Sequence, residues 1–329
     1  MFDVIAIGSA TRDNFFIGDY ELIKWEKTPS GKAYVLPYAE KLDVKDAHFT
    51  IGGNSVNASV TFSRQGLKAA LAAKLGDDLS AQELKKRLET EGVSTELVAH
   101  TKERHTAFSV LISEKGDRTI LGYHGASDTF VLEDLDLSKL GAPWWYLSLA
   151  GESDKMLLPL MAHAKKEGIK VAFNPSGHHI HHKKEEILSS LKDIDVLLVN
   201  EGEAAALMGI SFEEESRVFK KLDELLSPGI VAVTNGERGV TVSDGKKIYK
   251  AGIFKENEVK DRTGAGDAFG SGFVSVLIRG GSIEEAIRFA SANATSVIEQ
   301  IGATEGILSK KEFDASSRWK NLDITVKEL

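Results

Sequence analysis

The amino-acid sequence predicts an α/β protein: a central, mostly parallel sheet covered on both faces by helices, carrying a small β-sheet lid. Three observations lead there. Short apolar runs rich in Val, Ile and Leu recur without strict alternation, as strands buried on both faces require. Between them lie stretches with apolar residues at helical spacing and Ser or Gly where caps belong. Two further stretches break that rhythm and read as short strands of a separate sheet.

In chain order, "DVIAIG" is the first buried strand. The stretch around "AYVLPY" and "AHFTIGG" is the first excursion, and a helix of small residues follows Asn54. "AALAAKLG" returns to the sheet, and "SAQELKKRLETEG" is an amphipathic helix. "TAFSVLISEKGDRTILGYHG" is the second excursion, a hairpin turning at Glu114 to Asp117. "WWYLSL", "IKVAFN", "DVLLVN" and "GIVAVTNG" supply further strands; "SDKMLLPLMAHAKKEG" and "SRVFKKLDELLS" supply helices. Alternating βα units imply a doubly wound sheet with its ligands at the carboxyl ends of the strands. Both excursions, about 14–51 and 104–124, leave from such ends, so a lid over the site is the economical reading; an edge extension of the main sheet is the alternative. The sequence shows no linker and no repeat, and residues 1–329 read as a single domain.

The chain has 329 residues, 42% hydrophobic and 27% charged, with formal net charge −8. That charge argues against nucleic acid or an anionic membrane surface as a partner and favours small solutes. Cysteine is absent, which removes disulfides, thiolate metal sites and thiol nucleophiles and suits a reducing cytoplasm. No segment approaches the roughly 18 apolar residues of a membrane span, and "MFDVIAIGSA" reads as a strand and not a signal peptide.

The stretch "DRTGAGDAFGSGF", Asp261 to Phe273, carries the chemistry. Glycines at the mouth of a helix let an anion reach unpaired backbone N–H groups, and phosphate is the natural guest. From the residues alone, Asp267 is either a catalytic base or a helix cap. Phe269 stands where a dinucleotide G-x-G-x-x-G needs its third glycine, and no Walker A pattern occurs. Four histidines at 178, 179, 181 and 182 invite a metal reading, but a solvated surface tract is the expectation.

"DRTGAGDAFGSGF" resembles the C-terminal signature of the ribokinase-like (PfkB) carbohydrate kinases. The resemblance implies a three-layer α/β/α sandwich that transfers the γ-phosphoryl group of ATP to a hydroxyl. Gly264, Ala265 and Gly266 would form the anion hole and Asp267 would be the base. "TIGGNSVNASVTFSRQG" is similar to the N-terminal signature, so Gly52, Gly53, Asn54 and Asn57, with Asp13 from "GSATRD", would hold the acceptor. Asn200 and Glu203 resemble the N-x-x-E motif that organises Mg2+, largely through water; a helix-capping pattern explains the same letters. Thr234, Gly236 and Gly239 in "VTNGERGV" would hold the nucleotide, Asn293 the base edge, and Gly302 the adenine pocket wall. Asp261 and Thr263 fall where many members bind a monovalent cation such as K+. Asn174 and Pro175 would border the site.

Asp13 and Asn54 suit the vicinal hydroxyls of ribose or a nucleoside. His105 and Phe108 are the stacking candidates for a nucleobase, and Arg12, Arg104 and Lys32 are the cations available to a sugar phosphate. Homodimers through the lid are expected from the resemblance. The alternatives of other class are a catalytically silent nucleotide-binding regulator and an NAD-linked oxidoreductase, which the displaced glycine disfavours.

Overall fold

The computed structural model describes residues 1–28, 30–114 and 117–329. Among these, nine strands form one sheet in the order Ile324–Glu328, Lys247–Ala251, Val240–Ser243, Ile230–Thr234, Val196–Asn200, Lys170–Phe173, Trp144–Ser148, Val4–Gly8 and Ala69–Ala72. Neighbours from Ala69–Ala72 through to Ile230–Thr234 pair in parallel. The remaining three strands are antiparallel and finish one edge.

Both faces of this sheet are apolar because both are covered. On one side Ile5, Ile7, Trp145, Leu147, Val171 and Phe173 share a core with the helices Leu157–Glu167 and Glu215–Leu226. On the other, Val4, Ala6, Trp144, Tyr146 and Leu198 share a core with the helices Asn54–Arg64, Ala265–Ile278 and Ile283–Ile298. This is the three-layer α/β/α sandwich, and it explains why the strand runs lack a polar alternation. The helix read from "SDKMLLPLMAHAKKEG" starts later than the pattern suggests: Gly151–Met156 is a 3₁₀ turn and the α-helix opens at Leu157. Pro159 then lies in the first turn, where its missing N–H leaves no intrahelical bond unmade.

From Val4–Gly8 the chain crosses to Ala69–Ala72 on one side and later returns to Trp144–Ser148 on the other. That reversal opens a crevice at the carboxyl ends of the central strands. A separate four-stranded sheet stands beside it, in the order Asp117–Tyr123, Ala107–Glu114, Thr11–Ile17 and Asp46–Gly52. Because it is not hydrogen-bonded into the main sheet, the edge-extension alternative does not hold. Its first strand starts at Thr11, three residues before the expected boundary, and the strand read from "AYVLPY" is Lys32–Val35, paired with Glu21–Lys24. Residues 115 and 116, within the turn expected at Glu114 to Asp117, lie outside the described residues. Among the described residues no helix is long and apolar enough to cross a membrane.

Candidate active site

Asp267 is the third residue of the helix Ala265–Ile278, whose cap is Gly264. The cap has φ 78°, and a Cβ there would lie 2.4 Å from Ala303 Cβ, so this sharp entry into the helix admits only glycine. A Cβ at Gly266 would meet nothing, because that position opens onto the cleft. The first turn therefore presents amides with no intrahelical acceptor to open space. Asp267 does not cap the helix. Its Oδ2 accepts a 2.8 Å hydrogen bond from Asn57 Nδ2, across from the helix Asn54–Arg64. Burial pushes the carboxyl up to about 6; the Asn57 bond works against that shift, while the negative charges of Asp13 and Glu203 add to it.

On the acceptor side, Asp13 lies in the middle of the strand Thr11–Ile17 and is 6% exposed. Its Oδ1 accepts from Ser109 Oγ at 2.5 Å and Thr11 Oγ1 at 3.1 Å. Burial raises its pKa, and the Ser109 bond pulls the other way. Asp13 pairs with Thr50 on one neighbouring strand and Ser109 on the other, so the three side chains form a row on one face of the small sheet. Gly52 belongs to the same arrangement: a Cβ there would come within 2.0 Å of Asp13 Oδ2. Gly53 caps the next helix, and Asn54 donates from Nδ2 to Ser148 Oγ at 3.0 Å and from its backbone N–H to Ser9 Oγ at 3.2 Å. Both serines lie at the topological switch. Ser109 went unforeseen because only the strand register brings it to Asp13.

Two cavities meet at Gly266. One, of about 270 Å³, is lined by Thr234, Gly236, Gly239, Ala265, Phe269 and one face of the helix Ile283–Ile298. The other, of about 320 Å³, is lined by Asn54, Asn174, Pro175, Asn200, Glu203 and Asp267 among others. Asn200 and Glu203 form a capping box: Asn200 Oδ1 accepts from the Glu203 amide at 2.9 Å and Glu203 Oε2 from the Asn200 amide at 2.8 Å. The capping reading is thus correct, and the same Glu203 side chain also faces the cavity that holds Asp267. Burial raises the Glu203 pKa, with the Asn200 bonds opposing.

Two expectations are corrected here. Asn293 is fully buried; its Nδ2 donates to the Ala268 carbonyl at 2.9 Å and its Oδ1 accepts from the Leu308 amide at 2.8 Å. It ties the helix behind Asp267 to the following loop and offers no edge to a base. The cavity is lined instead by Ser291, Ala294, Thr295 and Ile298. Helical periodicity contained that signal, since these positions share a face that residue 293 does not. Asn293→Ala leaves a buried carbonyl and amide unpaired, and we expect a loss of about 2–4 kcal/mol in denaturant unfolding. Gly302 likewise does not line this cavity. It packs under Thr50 of the small sheet and donates its amide to Asp261 Oδ2 at 3.3 Å.

A match to the pfkB family of carbohydrate kinases runs over residues 11–311. The chain belongs to that family. The kinase is 28% identical over 296 residues to a ribokinase of Haemophilus influenzae, covering 85% of this chain and 91% of the relative. It is 23% identical over 304 residues to a cytidine kinase of Thermococcus kodakarensis, covering 92% and 98%. Among solved structures it resembles an Arabidopsis thaliana ribokinase complexed with ribose and ATP, at TM-score 0.78 and 23% identity over 97% and 99% of the two chains. An adenosine kinase of Sinorhizobium meliloti superimposes at TM-score 0.77 and 23% identity over 96% and 99%. At those identities the structural likeness establishes the ribokinase-like fold. PfkB kinases are phosphotransferases acting on hydroxyl groups, and this protein is one of them.

In the kinase the loop before the helix is fastened to the small sheet. Asp261 is 2% exposed; its Oδ1 accepts from the Thr263 amide at 3.0 Å and from Thr263 Oγ1 at 2.8 Å. Arg118, on the strand Asp117–Tyr123, places Nε 3.6 Å from the same oxygen. Thr50 Oγ1 donates to Glu305 at 3.0 Å, a second tie between sheet and core.

The histidine tract departs from expectation. His179 is fully buried against Phe173, and Asp154, also buried, lies 3.2 Å from His179 Nδ1 and 2.9 Å from His178 Nδ1. The tract is therefore partly core, with an acidic partner that local sequence does not reveal. Burial lowers the His179 pKa. Among the described residues no cluster of three or more His, Cys, Asp or Glu side chains is arranged to hold a metal ion.

Proposed function

We propose that this protein is an ATP-dependent sugar kinase with a ribose-type acceptor. One observation carries the reading. The Asp267 carboxylate lies at a glycine-lined helix mouth, in a cavity that shares Gly266 and Thr234 with the one under the Thr234–Gly239 turn, and near enough to Asp13 to feel its charge. In this reading the nucleotide enters the first cavity, held by Thr234, Gly236 and Gly239, with its phosphates toward Asn200. The amides of Gly264, Ala265 and Gly266 receive the charge that builds on the transferring group. Asp13, Gly52, Gly53, Asn54 and Asn57 hold the acceptor. Asp267 takes the acceptor hydroxyl's proton as its oxygen bonds to the γ-phosphorus and the bond to the ADP oxygen breaks. A base with a pKa of about 6 is ionised at pH 7 yet closer to the hydroxyl's needs than an ordinary carboxylate.

The residues present fit a magnesium ion: Asp267 and Glu203 bring two carboxylates, the oxygen ligands that Mg2+ prefers, to one cavity. Mg2+, when bound, offsets phosphate charge, and Glu203 would hold it through water. We expect Glu203→Gln to raise the Mg2+ concentration for half-maximal rate by about tenfold in a metal titration, the order seen for outer ligands.

The small sheet acts as a lid that excludes water and limits ATP hydrolysis. Phe108 pairs with Arg12 in register, on the face opposite Asp13, and Arg12 is bound to Glu83 at 3.0 Å. Neither a nucleobase stacked on Phe108 nor a phosphate on Arg12 is favoured at the acceptor by that geometry. The outer face exposes Phe49, Phe108 and Leu121, which suits pairing with a second copy, a homodimer through the lid. A cysteine-free chain of this kind is suited to the cytoplasm. An ADP-release assay over pentoses, hexoses, sugar phosphates and nucleosides tests the assignment. Ribose-type sugars are expected to give the highest kcat/KM; preference for a nucleoside would move the acceptor assignment, and no acceptor-dependent ADP release would overturn it.

A further inference from the structure

The family resemblance leads to a monovalent cation at Asp261 and Thr263, and the residues in the structure do not fit one. Both carboxylate oxygens of Asp261 already accept hydrogen bonds, two at Oδ1 from Thr263 and one at Oδ2 from Gly302. The remaining charge is met by Arg118, whose guanidinium is always ionised. Its Nε is buried and makes no hydrogen bond, so its attraction to Asp261 is electrostatic.

We propose that Arg118 is a built-in cation, delivered by the lid, which replaces a diffusible monovalent ion beside the phosphoryl-binding loop. This rests on the kinase reading above. Arg118 pairs with Ser113, and Ser113 with Ile17, two alternations along from the Asp13–Ser109 pair, so Arg118 stands on the face of the small sheet that carries Asp13. Asp261 lies three residues before Gly264, the cap of the cradle. An unneutralised carboxylate there would repel incoming phosphates, and at 2% exposure water screens it poorly. A guanidinium on the lid removes that repulsion when the lid is down. The kinase therefore needs no K+, and closure of the lid completes the electrostatics of the cradle.

The test compares wild type, Arg118→Ala and Arg118→Lys in KCl and in tetramethylammonium chloride at equal ionic strength. Two readouts are taken: kcat and acceptor KM from ADP release, and the melting temperature of the ADP complex, which needs no turnover. Wild type is expected to differ by less than about twofold between salts, whereas Arg118→Ala loses about tenfold in kcat in tetramethylammonium and regains most of it in KCl. The ADP complex of Arg118→Ala melts higher in KCl, and that of wild type does not. Arg118→Lys keeps salt independence, and it carries the test should the alanine variant not fold. Strong K+ activation of wild type would overturn the proposal. So would an alanine variant equal to wild type, one not relieved by KCl, or one impaired only in acceptor KM. Failure of every acceptor would count against the kinase reading and leave the melting comparison standing.

Discussion

Asp267→Asn is expected to fold, to bind ADP as wild type does, and to lose at least about 10³-fold in kcat. The substitution keeps the shape of the side chain and a partner for Asn57 but removes the group that accepts the hydroxyl proton. The same change has an opposite effect on stability. The ordinary carboxyl value of 3.8 is raised to about 6 in the folded protein, mainly by burial. The folded state thus holds its proton more tightly than the unfolded chain, and stability falls as pH rises from about 4 through 6. Asparagine cannot ionise and escapes that loss. Thermal melts of wild type and variant should therefore coincide near pH 4, with the variant melting higher at pH 7 to 8. Gain of stability with loss of turnover marks a group strained for function; loss of both would mark a structural residue.

Asp13→Asn is expected to lower kcat/KM for the acceptor by about 10²-fold while leaving nucleotide affinity unchanged. An amide of the same shape fills the same space, but one end now donates, and a neutral oxygen accepts a sugar hydroxyl less strongly than a carboxylate. The Ser109 and Thr11 hydroxyls can turn to satisfy the new side chain, so the fold should survive. Steady-state kinetics in the acceptor, with ADP-induced thermal shifts on the same samples, separate the two sites. An equal loss of nucleotide binding would show that Asp13 supports the cleft as a whole.

The sandwich was legible because buried parallel strands and amphipathic helices leave distinct periods, and "DRTGAGDAFGSGF" announced the helix mouth by its glycines. The acceptor row was only half legible. Asp13 was visible as a residue, but its place within a strand and its tie to Ser109 depend on a register between segments 96 residues apart. Asn293 was misread for a related reason. A polar residue among small ones in a helix suggests a ligand, yet its partners, Ala268 and Leu308, are set by packing of separate elements. Arg118 carried no signal at all, since only the docking of the small sheet brings it to Asp261. Local chemistry was readable from the chain, whereas pairing across the cleft required the fold.

The central claim is that the carboxylate at 267 takes the proton of the incoming alcohol. Its most direct test is the pH dependence of kcat/KM for the acceptor at saturating magnesium nucleotide. Wild type should rise with the first power of hydroxide on the acid side and level off above an apparent pKa of about 6, the value to which burial raises this group. The residual rate of Asp267→Asn should lack that limb. An acid limb unchanged in the variant, or a variant within about tenfold of wild-type turnover, would contradict the account.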